Sequence, residues 1–237
     1  MPSTLVIADL HLSPERSDIS QCFLTFLKKH KSQHDALYIL GDLFEAWVGD
    51  DDITDFTTSI ADAIKDFSAS TPVYFIHGNR DFLLGKKYAD RCGMTLLPDQ
   101  HQITLYSRNV LFMHGDQLCT DDVDYQKFRK TSRSWWWKGL FLLLPLSMRR
   151  KKAAEYRRRS VEQQKYKSQD IMDVNQQAVE QVIEQTQTTW LVHGHTHRPA
   201  IHEIDDKVKR IVVGDWYTQG SVLTLTENGH ELSYLPF

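Results

Sequence analysis

Short apolar runs alternate along the chain with stretches in which apolar residues recur every three or four positions. The second pattern predicts amphipathic helices over 19–31, 53–67 and 171–185. The apolar runs, and an alternating pattern toward the C-terminus, predict strands over 5–8, 36–40, 73–76, 102–105, 110–113, 190–192, 201–203, 210–213, 221–226 and 231–235. Strands that alternate with helices favour an α/β sandwich, which we expect to form one domain over residues 1–237.

The composition is ordinary for a globular protein with a substantial core, because 41% of the 237 residues are apolar and 25% are charged. The first residues, MPSTLVIADLH, have neither the basic start nor the long apolar stretch of a signal peptide. The three cysteines, Cys22, Cys92 and Cys119, are far apart and odd in number, which favours neither a disulfide framework nor a thiolate metal site. We therefore expect a protein of the reducing cytoplasm.

The net charge of −3 conceals a strong local asymmetry. Residues 127–167 contain 14 Lys/Arg and 2 Asp/Glu, a net charge of +12, so the remainder of the chain carries −15. The same segment contains three consecutive tryptophans and a run of leucines. A solvated basic helix face is one interpretation, but basic and apolar clusters together are typical of a membrane surface or an anionic ligand site. We interpret residues 123–168 as a helical, basic and apolar cap that is inserted within the domain.

The apolar part of this cap is too short to cross a membrane. A spanning helix needs about 20 apolar residues, whereas the longest uninterrupted run here is 140–144, between Gly139 and Pro145. Three roles stay open and can overlap: the hydrophobic centre of the cap, an apolar groove for a ligand, and a surface at the membrane interface with tryptophan at headgroup level. The basic residues expected on anionic lipid in the last case are Arg149, Arg150, Lys151 and Lys152.

Five predicted strands end at a His, Asp or Asn. Their sequences are VIADLH, YILGD, YFIHGNRD, LFMHGD and WLVHGHTHRP. Because ligands of α/β sheets bind beyond the carboxyl ends of the strands, we expect these side chains to meet at one rim. The residues that would form this rim are Asp9, His11, Asp42, Asn79, His114, His195 and His197.

The chemistry of the rim predicts a metal centre. Carboxylate, imidazole and amide groups without sulfur suit Mn, Fe, Zn or Co, and seven groups suffice for two ions that share one carboxylate. The D-x-H and H-x-H spacings support this, because alternate residues of an extended strand face the same side. Each residue taken alone could equally be a turn residue at a strand end. Glycines beside the rim would let the backbone turn sharply and approach an ion, namely Gly41, Gly78, Gly115 and Gly194.

The motifs DLH, GD, GNRD, HGD and GHTH, in this order, resemble those of the calcineurin-like metallophosphoesterase family. The resemblance implies a four-layer αββα sandwich of two mixed sheets flanked by helices. It also implies hydrolysis by a hydroxide that two metal ions activate. The implied ligands of one ion are Asp9, His11, Asp42 and His197, and those of the other are Asp42, Asn79, His114 and His195, with Asp42 as the bridge.

Arg80 departs from the family pattern. Many members have GNH, in which the His protonates the leaving group, whereas this chain has GNR. An Arg stays protonated and cannot donate a proton usefully, but a phosphate monoester leaving group, with a second pKa of about 6, needs none. Arg80 therefore favours pyrophosphate cleavage, with the guanidinium as a phosphate clamp. The alternative is a surface Arg that balances Asp81.

Longer strings resemble the family of UDP-2,3-diacylglucosamine pyrophosphohydrolases in the lipid A synthesis of Gram-negative bacteria. They are ILGDLFEAWVGDDD, HGDQLCTDD followed by YQKFR, IMDVNQ, and LVHGHTHRPAIHE, and the similarity runs nearly end to end. The resemblance implies hydrolysis of UDP-2,3-diacylglucosamine at the α-phosphorus, giving UMP and 2,3-diacylglucosamine 1-phosphate (lipid X). It also implies two Mn(II) ions and a peripheral place on the cytoplasmic face of the inner membrane, with neither nucleic acid nor an obligate protein partner.

The resemblance further implies roles for individual residues. The catalytic residues would be Asp42, Asn79, Arg80 and His195. The substrate contacts would be Asn79, Arg80, Asp122, Ser160, Gln164, Lys167 and His195. Three of them, Ser160, Gln164 and Lys167, share one face of a predicted helix, although Gln164 departs from the Asn of the family. An exposed helix face without a ligand is the alternative.

Other polar residues near the strand ends are candidates for supporting roles. We expect hydrogen bonds to the ligands from Asp81, Asp116 and Asp215, and from His193 as well. The acidic run 50–52 is typical of a solvated loop.

Two other functions stay open. A pyrophosphatase of soluble nucleotide sugars or other nucleotides would cleave UDP-sugars as well as acylated substrates. A binding module that kept the fold would recruit membranes or RNA through the basic segment, although the complete set of candidate ligands speaks against it.

Overall fold

The computed structural model describes residues 1–164 and 173–237, and it describes only the backbone of residues 163 and 164. Its strands are β1 Ser3–Ile7, β2 Ala36–Ile39, β3 Val73–Phe75, β4 Met94–Leu96, β5 Gln100–Leu105, β6 Arg108–Met113, β7 Trp190–His193, β8 Ala200–Glu203, β9 Lys209–Val212, β10 Gly220–Thr226 and β11 Gly229–Leu235. Its α-helices are α1 Ser17–His30, α2 Asp55–Ser68, α3 Lys86–Cys92, α4 Val123–Ser132, α5 Trp135–Leu142, α6 Leu146–Gln164 and α7 Gln176–Thr186.

The strands form two mixed sheets. The first has the order β11-β10-β1-β2-β3-β4, in which β1 to β4 are parallel and β10 and β11 are antiparallel additions. The second has the order β5-β6-β7-β9-β8, with a parallel centre of β6, β7 and β9. The parallel centres bring the carboxyl ends of β1, β2 and β3 in one sheet, and of β6 and β7 in the other, to one end of the molecule.

Alternation along β1 divides its side chains between two hydrophobic cores, as the period of two in a strand requires. Leu5 and Ile7 pack in a core with α1, α2 and α3, whereas Val6 packs in the core between the sheets. The core between the sheets includes the rings of Tyr38 and Phe112, whose centroids are 4.4 Å apart. Both faces of the first sheet are therefore buried.

The outer face of the second sheet is covered by α7. Leu111 of β6 and Leu191 of β7 pack there against Val179. The order of layers is α1 to α3, first sheet, second sheet, α7. This arrangement confirms the predicted α/β class and the four-layer αββα sandwich.

Two element predictions differ from the structure. The sequence pattern does not predict the short α3 and β4, which are joined by Gly93 in a left-handed conformation. The predicted helix 171–185 is wrong for residues 173–175, because α7 begins at Gln176, and residues 171 and 172 lie outside the described residues. Asn175 caps this helix, since its side-chain oxygen accepts a hydrogen bond from the backbone N–H of Ala178 at 3.1 Å.

The segment predicted as a cap contains α4, α5 and α6. Its predicted end at 168 lies outside the described residues, so the extent of the cap stays a prediction. The cap joins the main body through Trp137, Phe141 and Leu144, which pack on the core of α1 to α3. None of the described helices is both long and apolar enough to cross a membrane.

Candidate metal centre

The seven candidate ligands lie together at the carboxyl ends of five strands, as the sequence predicts. In chain order they follow β1 (Asp9 and His11), β2 (Asp42), β3 (Asn79), β6 (His114) and β7 (His195 and His197). Three of these strands belong to the first sheet and two to the second. The candidate metal centre therefore lies at the end of the sandwich, across the junction between its two sheets.

Five of the seven candidate ligands have a left-handed backbone, with φ between 51° and 69°. They are Asp9, His11, Asp42, His195 and His197. This conformation is rare outside glycine and costs about 1–3 kcal/mol per residue, so it is typical of functional sites that the surrounding fold holds in place. The expectation that the D-x-H and H-x-H pairs lie in extended strands is wrong. The strands end before these pairs, and the side chains converge because the chain turns.

Glycine is required where the turns of neighbouring strands touch. Gly41 has φ of 86°, and a Cβ on it would lie 2.5 Å from the backbone nitrogen of Gly78. A Cβ on Gly194 would overlap the carboxylate of Asp9. These glycines bring the loops against one another, which crowds the ligand side chains into one space.

The first group of ligands contains Asp9, His11 and His197, whose ligand atoms all lie within 4.8 Å of one another. Nε2 of His197 is 3.3 Å from Nε2 of His11 and 3.5 Å from Oδ1 of Asp9. Two imidazole nitrogens and a carboxylate oxygen thus face a common point, which is the arrangement that a divalent cation needs.

The second group contains Asp9, Asp42 and His114, again within 4.8 Å. Oδ2 of Asp42 is 4.0 Å from Nε2 of His11 and 3.8 Å from Nε2 of His114. This carboxylate oxygen therefore lies between an imidazole of each group. The position is suited to a carboxylate shared by two ions.

Asn79 and His195 stand beside the second group. Oδ1 of Asn79 is 2.9 Å from Nδ1 of His195 and 3.0 Å from Nε2 of His114. The two imidazole nitrogens are themselves 3.2 Å apart. The amide oxygen and both rings consequently point into the same space.

The buried polar atoms around this space fit a bound cation. Oδ1 of Asp9 is buried and accepts no hydrogen bond from the described residues, as is expected of a carboxylate oxygen that faces a cation. The Asn79 amide stands between Oδ2 of Asp42 and Nε of Arg80, each 3.2 Å from one of its two end atoms.

Burial and neighbouring charges shift the pKa values of these ligands. Burial raises the pKa of Asp9, but contact with His197 and the nearby imidazoles outweighs it and holds the pKa well below the usual range. Burial lowers the pKa of His197, but Asp215 and Asp9 raise it to about 10. Burial and the charge of His114 lower the pKa of His195 to about 4. Cation binding at His197 would therefore release a proton.

Of the acids expected to support the ligands, Asp215 contacts one directly. Its Oδ2 is 3.1 Å from Nδ1 of His197, which fixes the ring orientation and leaves Nε2 toward the ligand group. Asp81 instead accepts the backbone N–H groups of Leu43 and Gly78, both at 2.8 Å. Burial and the nearby charge of Asp42 raise the pKa of Asp81 to about 7.

His193 and Asp116 do not hydrogen-bond a ligand side chain either. Nδ1 of His193 lies 2.8 Å from the backbone oxygen of Gly194. Asp116 accepts hydrogen bonds from residues of α4, among them the hydroxyl of Tyr125 at 2.5 Å. His193 thus contacts the backbone beside the candidate metal centre, and Asp116 contacts the helix α4.

Glu45 links the candidate metal centre to the cap, and the sequence pattern did not single it out. Oε1 of Glu45 accepts hydrogen bonds from Arg80 at 3.0 Å and from Arg157 of α6 at 2.7 Å. Oε2 lies 3.3 Å from Nδ1 of His11. Burial raises the pKa of Glu45, but His11 and the two guanidinium groups lower it to about 2. Arg80 thus pairs with Glu45, and the alternative partner Asp81 is excluded.

Tyr217 is a second residue that sequence reasoning missed. Its ring stacks on the imidazole of His11, with centroids 5.1 Å apart and planes 4° from parallel. Tyr125 of α4 places its ring 6.2 Å from that of His195. Nothing in the local sequence marks either tyrosine, because each meets its imidazole only through the fold.

The residues expected to contact a substrate through the cap are only partly described. Asp122 caps α4, where its carboxylate accepts the backbone N–H of Tyr125 at 3.2 Å. Ser160 lies on α6 and is half-buried. Lys167 and the side chain of Gln164 lie outside the described residues, so the face shared with Ser160 stays a prediction.

The apolar helix α5 has two different faces. Trp137 and Phe141 stack with centroids 4.8 Å apart and pack on the main core. Trp135, Leu140 and Leu143 point outward and are 86%, 61% and 81% exposed. The segment is therefore part core and part open apolar surface, and an open patch of this kind is typical of an interaction site.

One basic residue of the cap does not face solvent. Arg149 is 2% exposed, and its guanidinium donates to the backbone oxygen of Val48 at 2.6 Å and to Asp51 at 2.8 Å. The expectation that Arg149 contacts lipid is wrong for this reason. Arg150 pairs with Asp52, whereas Lys151 and Lys152 are exposed.

The acidic run 50–52 is a loop with Asp51 exposed, as its sequence suggests, but all three carboxylates have partners. Asp50 accepts the backbone N–H of Gly85 at 2.8 Å and the indole N–H of Trp47 at 3.1 Å. Asp51 and Asp52 pair with α6. This loop therefore holds both α3 and the cap in place.

Comparison with known proteins agrees with this geometry. The profile of the calcineurin-like phosphoesterase family matches residues 2–199. A UDP-2,3-diacylglucosamine hydrolase of Shewanella pealeana is 52% identical over 234 residues, which are 99% of this chain and 98% of that protein. A UDP-2,3-diacylglucosamine hydrolase of Escherichia coli O7:K1 is 52% identical over 239 residues, 99% of this chain and 100% of that protein.

A solved structure agrees in fold. A novel archaeal phosphodiesterase superposes with a TM-score of 0.52 and 12% sequence identity, over 98% of this chain and 99% of that one. At this identity the likeness concerns the fold alone.

Proposed function

The chain belongs to the calcineurin-like phosphoesterase family, and we propose that it hydrolyses UDP-2,3-diacylglucosamine at the α-phosphorus, giving UMP and lipid X. The observation that carries the proposal is the identity of 52%, over 99% of the chain, with hydrolases named for this substrate. The convergence of seven candidate ligands at one end of the sandwich supports a metal-dependent reaction.

We propose two Mn(II) ions as the cofactor. Asp9, His11, Asp42 and His197 would hold one ion, and Asp42, Asn79, His114 and His195 the other. Bound divalent cations would lower the pKa of a water molecule toward neutrality and offset the charge of the phosphoryl oxygens. The position of Asp42 Oδ2 between His11 and His114 supports a shared carboxylate.

Arg80 would hold the pyrophosphate. Its guanidinium is directed by Glu45 toward Asp42, from which its Nε is 4.0 Å. Arg157 shares the same Glu45 oxygen, so two cationic side chains stand at the mouth of the candidate metal centre. A phosphate could accept hydrogen bonds from the guanidinium nitrogens that Glu45 leaves open, since each guanidinium has five N–H donors.

The cap would bind the remaining parts of the substrate. Asn79 and His195 would contact the phosphate beside the ions, and Asp122, Ser160, Gln164 and Lys167 would make polar contacts along the cap. The apolar side chains of α5 would receive the acyl chains or contact the bilayer that holds them. Peripheral binding at the cytoplasmic face of the inner membrane is supported by the exposed apolar side chains of Trp135, Leu140 and Leu143 and by the exposed Lys151 and Lys152 of the same cap.

A second candidate is a pyrophosphatase of soluble nucleotide sugars. The candidate metal centre and Arg80 would serve either reaction, because both cleave a pyrophosphate. The exposed apolar face of α5 favours the acylated substrate, since a soluble nucleotide sugar has no use for it.

Product identification tests the proposal. Purified protein with Mn(II) is incubated with UDP-2,3-diacylglucosamine, and the products are separated by mass. We expect UMP with lipid X, and hydrolysis in ¹⁸O-labelled water should label the UMP phosphate. The proposal would be rejected if the nucleotide product were UDP or uridine, or if the substrate stayed intact. Equal turnover of UDP-N-acetylglucosamine would favour the soluble alternative.

A further inference from the structure

Three side chains of α4 and its C-terminal cap contact the main body. Tyr125 and Arg129 belong to the helix and Arg133 caps its C-terminus, and the spacing of four residues places the three side chains in line. The two arginines are mostly buried, with side chains 16% and 11% exposed. The proposed function assigns no role to either arginine.

Arg129 and Arg133 bind the same two carboxylates. Arg129 donates to Asp116 at 2.8 Å and to Asp99 at 2.7 Å. Arg133 donates to Asp99 at 2.9 Å and to Asp116 at 3.4 Å. The two arginines thus make matching ion pairs, and both fasten α4 to the main body.

Only Arg133 of this pair also reaches the loop that carries Asn79. Its Nη2 donates to the backbone oxygen of Gly78 at 3.0 Å and to that of His77 at 3.4 Å. The Gly78 oxygen belongs to the peptide bond that joins Gly78 to Asn79. Arg133 therefore contacts the backbone one bond away from a candidate metal ligand.

The same loop is fixed on its other side by carboxylates of the main body. Asp81 accepts the N–H of Gly78, and Asp42 accepts the N–H of Arg80, both at 2.8 Å. Arg133 adds hydrogen bonds from the cap to the carbonyl oxygens of this loop. The three contacts together hold the backbone on both sides of Asn79, which sets the direction of its side chain.

We propose that Arg133 is a positioning residue, which fixes the side-chain amide of Asn79 toward Asp42, His114 and His195 and so couples the seating of α4 to cation affinity. The inference rests on the proposed role of Asn79 as a metal ligand. It goes beyond that role, because it makes the metal centre dependent on a cap helix that supplies no ligand.

The test is a calorimetric titration of Mn(II) into metal-free protein. Arg129→Ala is the matched control, since it removes the same ion pairs without touching the loop. We expect Arg133→Ala to weaken the affinity of one of two sites about 10- to 100-fold, as is usual when the support of a ligand is lost. Arg129→Ala should lower the melting temperature by a similar amount while Mn(II) affinity stays within about 3-fold.

Arg133→Lys is the second variant. It allows Mn(II) affinity to be measured even if Arg133→Ala fails to fold. An ammonium group can donate to the Gly78 oxygen, so affinity should recover at least partly, although the fork that spans both carbonyl oxygens is lost. Full affinity in Arg133→Ala, or equal losses in the Arg129 and Arg133 alanine variants, would overturn the inference. A wild-type protein that binds no Mn(II) would refute the proposed metal centre instead.

Discussion

The metal centre and the cap are built in opposite ways. The seven candidate ligands emerge at the ends of five strands that pairing and core packing hold in place, and each of the seven lies 4 Å or less from another candidate ligand. The cap is three helices joined to the main body by ion pairs and by one face of α5. The candidate metal centre is thus formed at the ends of strands that run through the cores, whereas the cap packs on the outside of a core.

This difference separates the two halves of the proposed reaction. A phosphate is small and its chemistry is fixed, so a rigid, buried set of ligands suits it. Acyl chains are long and flexible, and open apolar surface can accommodate them. Changes in the candidate metal centre should therefore abolish turnover of every substrate, whereas changes in the exposed apolar surface of the cap should discriminate between substrates.

Removal of metal should have the largest effect. Chelation with EDTA should reduce turnover to background, and added Mn(II) should restore it, because the ions supply the activated water. Far-UV circular dichroism should stay unchanged, since the strands that carry the ligands are held by two hydrophobic cores. Loss of the folded spectrum on chelation would show that the strand ends need the metal to fold. The candidate metal centre would then not be fixed by the cores, as the contrast with the cap assumes.

Asn79→Ala should come next. Turnover should fall by at least about 100-fold on acylated and short substrates alike, because one proposed ligand of the candidate metal centre is lost. Asn109→Ala is the matched control, since this Asn is exposed at the opposite end of β6 from His114. Wild-type turnover in Asn79→Ala would remove this residue from the metal centre.

The outward face of α5 should give a smaller and selective effect. A variant with Trp135, Leu140 and Leu143 changed to Ser should lose about 10-fold in kcat/KM on the acylated substrate and less than about 2-fold on a short UDP-sugar analogue. The reason is that these side chains are exposed and support no core packing.

The inward face supplies the control for this variant. Trp137→Ser should lower the melting temperature and impair both substrates, because this ring packs on Phe141 and the main core. If the outward variant impaired both substrates equally, the apolar surface would have no part in acyl recognition.

Removal of the ion pairs that hold α6 should have the smallest effect on turnover. Its effect is better measured as a change in the free energy of unfolding. Arg149→Ala leaves the backbone oxygens of Val48 and Leu144 without their donor and should lower the free energy of unfolding by about 1–3 kcal/mol. Arg150→Ala removes only an exposed ion pair and should leave the free energy of unfolding nearly unchanged. Chemical denaturation would measure both, and equal values would mean that burial of Arg149 does not matter.

Sequence reasoning recovered the metal centre because its signal is local. Each candidate ligand directly follows a short apolar run, and Asp9 and His11 or His195 and His197 stand close together in the chain. The reason given for their convergence was nevertheless wrong, since left-handed turns and not extended strands direct the side chains. The hydrophobic pattern does not predict the backbone conformation of a single residue.

The support that the cap gives to the candidate metal centre was missed because its signal is not local. Glu45 and Arg157 form an ion pair although they are 112 positions apart in the chain. Arg133 and Gly78, which are 55 positions apart, form a hydrogen bond. A surface-like charge pattern gives no hint of such partners, as the burial of Arg149 illustrates. The short α3 and β4 were missed for a related reason, since each is too brief to show a period.

The left-handed backbone at five candidate ligands has an evolutionary consequence. Glycine adopts this conformation freely, whereas Asp and His do so under strain, so at these positions the residues that serve chemistry are poor choices for the fold. A descendant released from catalysis would gain stability by drifting to glycine there, for example at His197, whose side chain is 28% exposed. In such a lineage the ligands would disappear while the sandwich persisted.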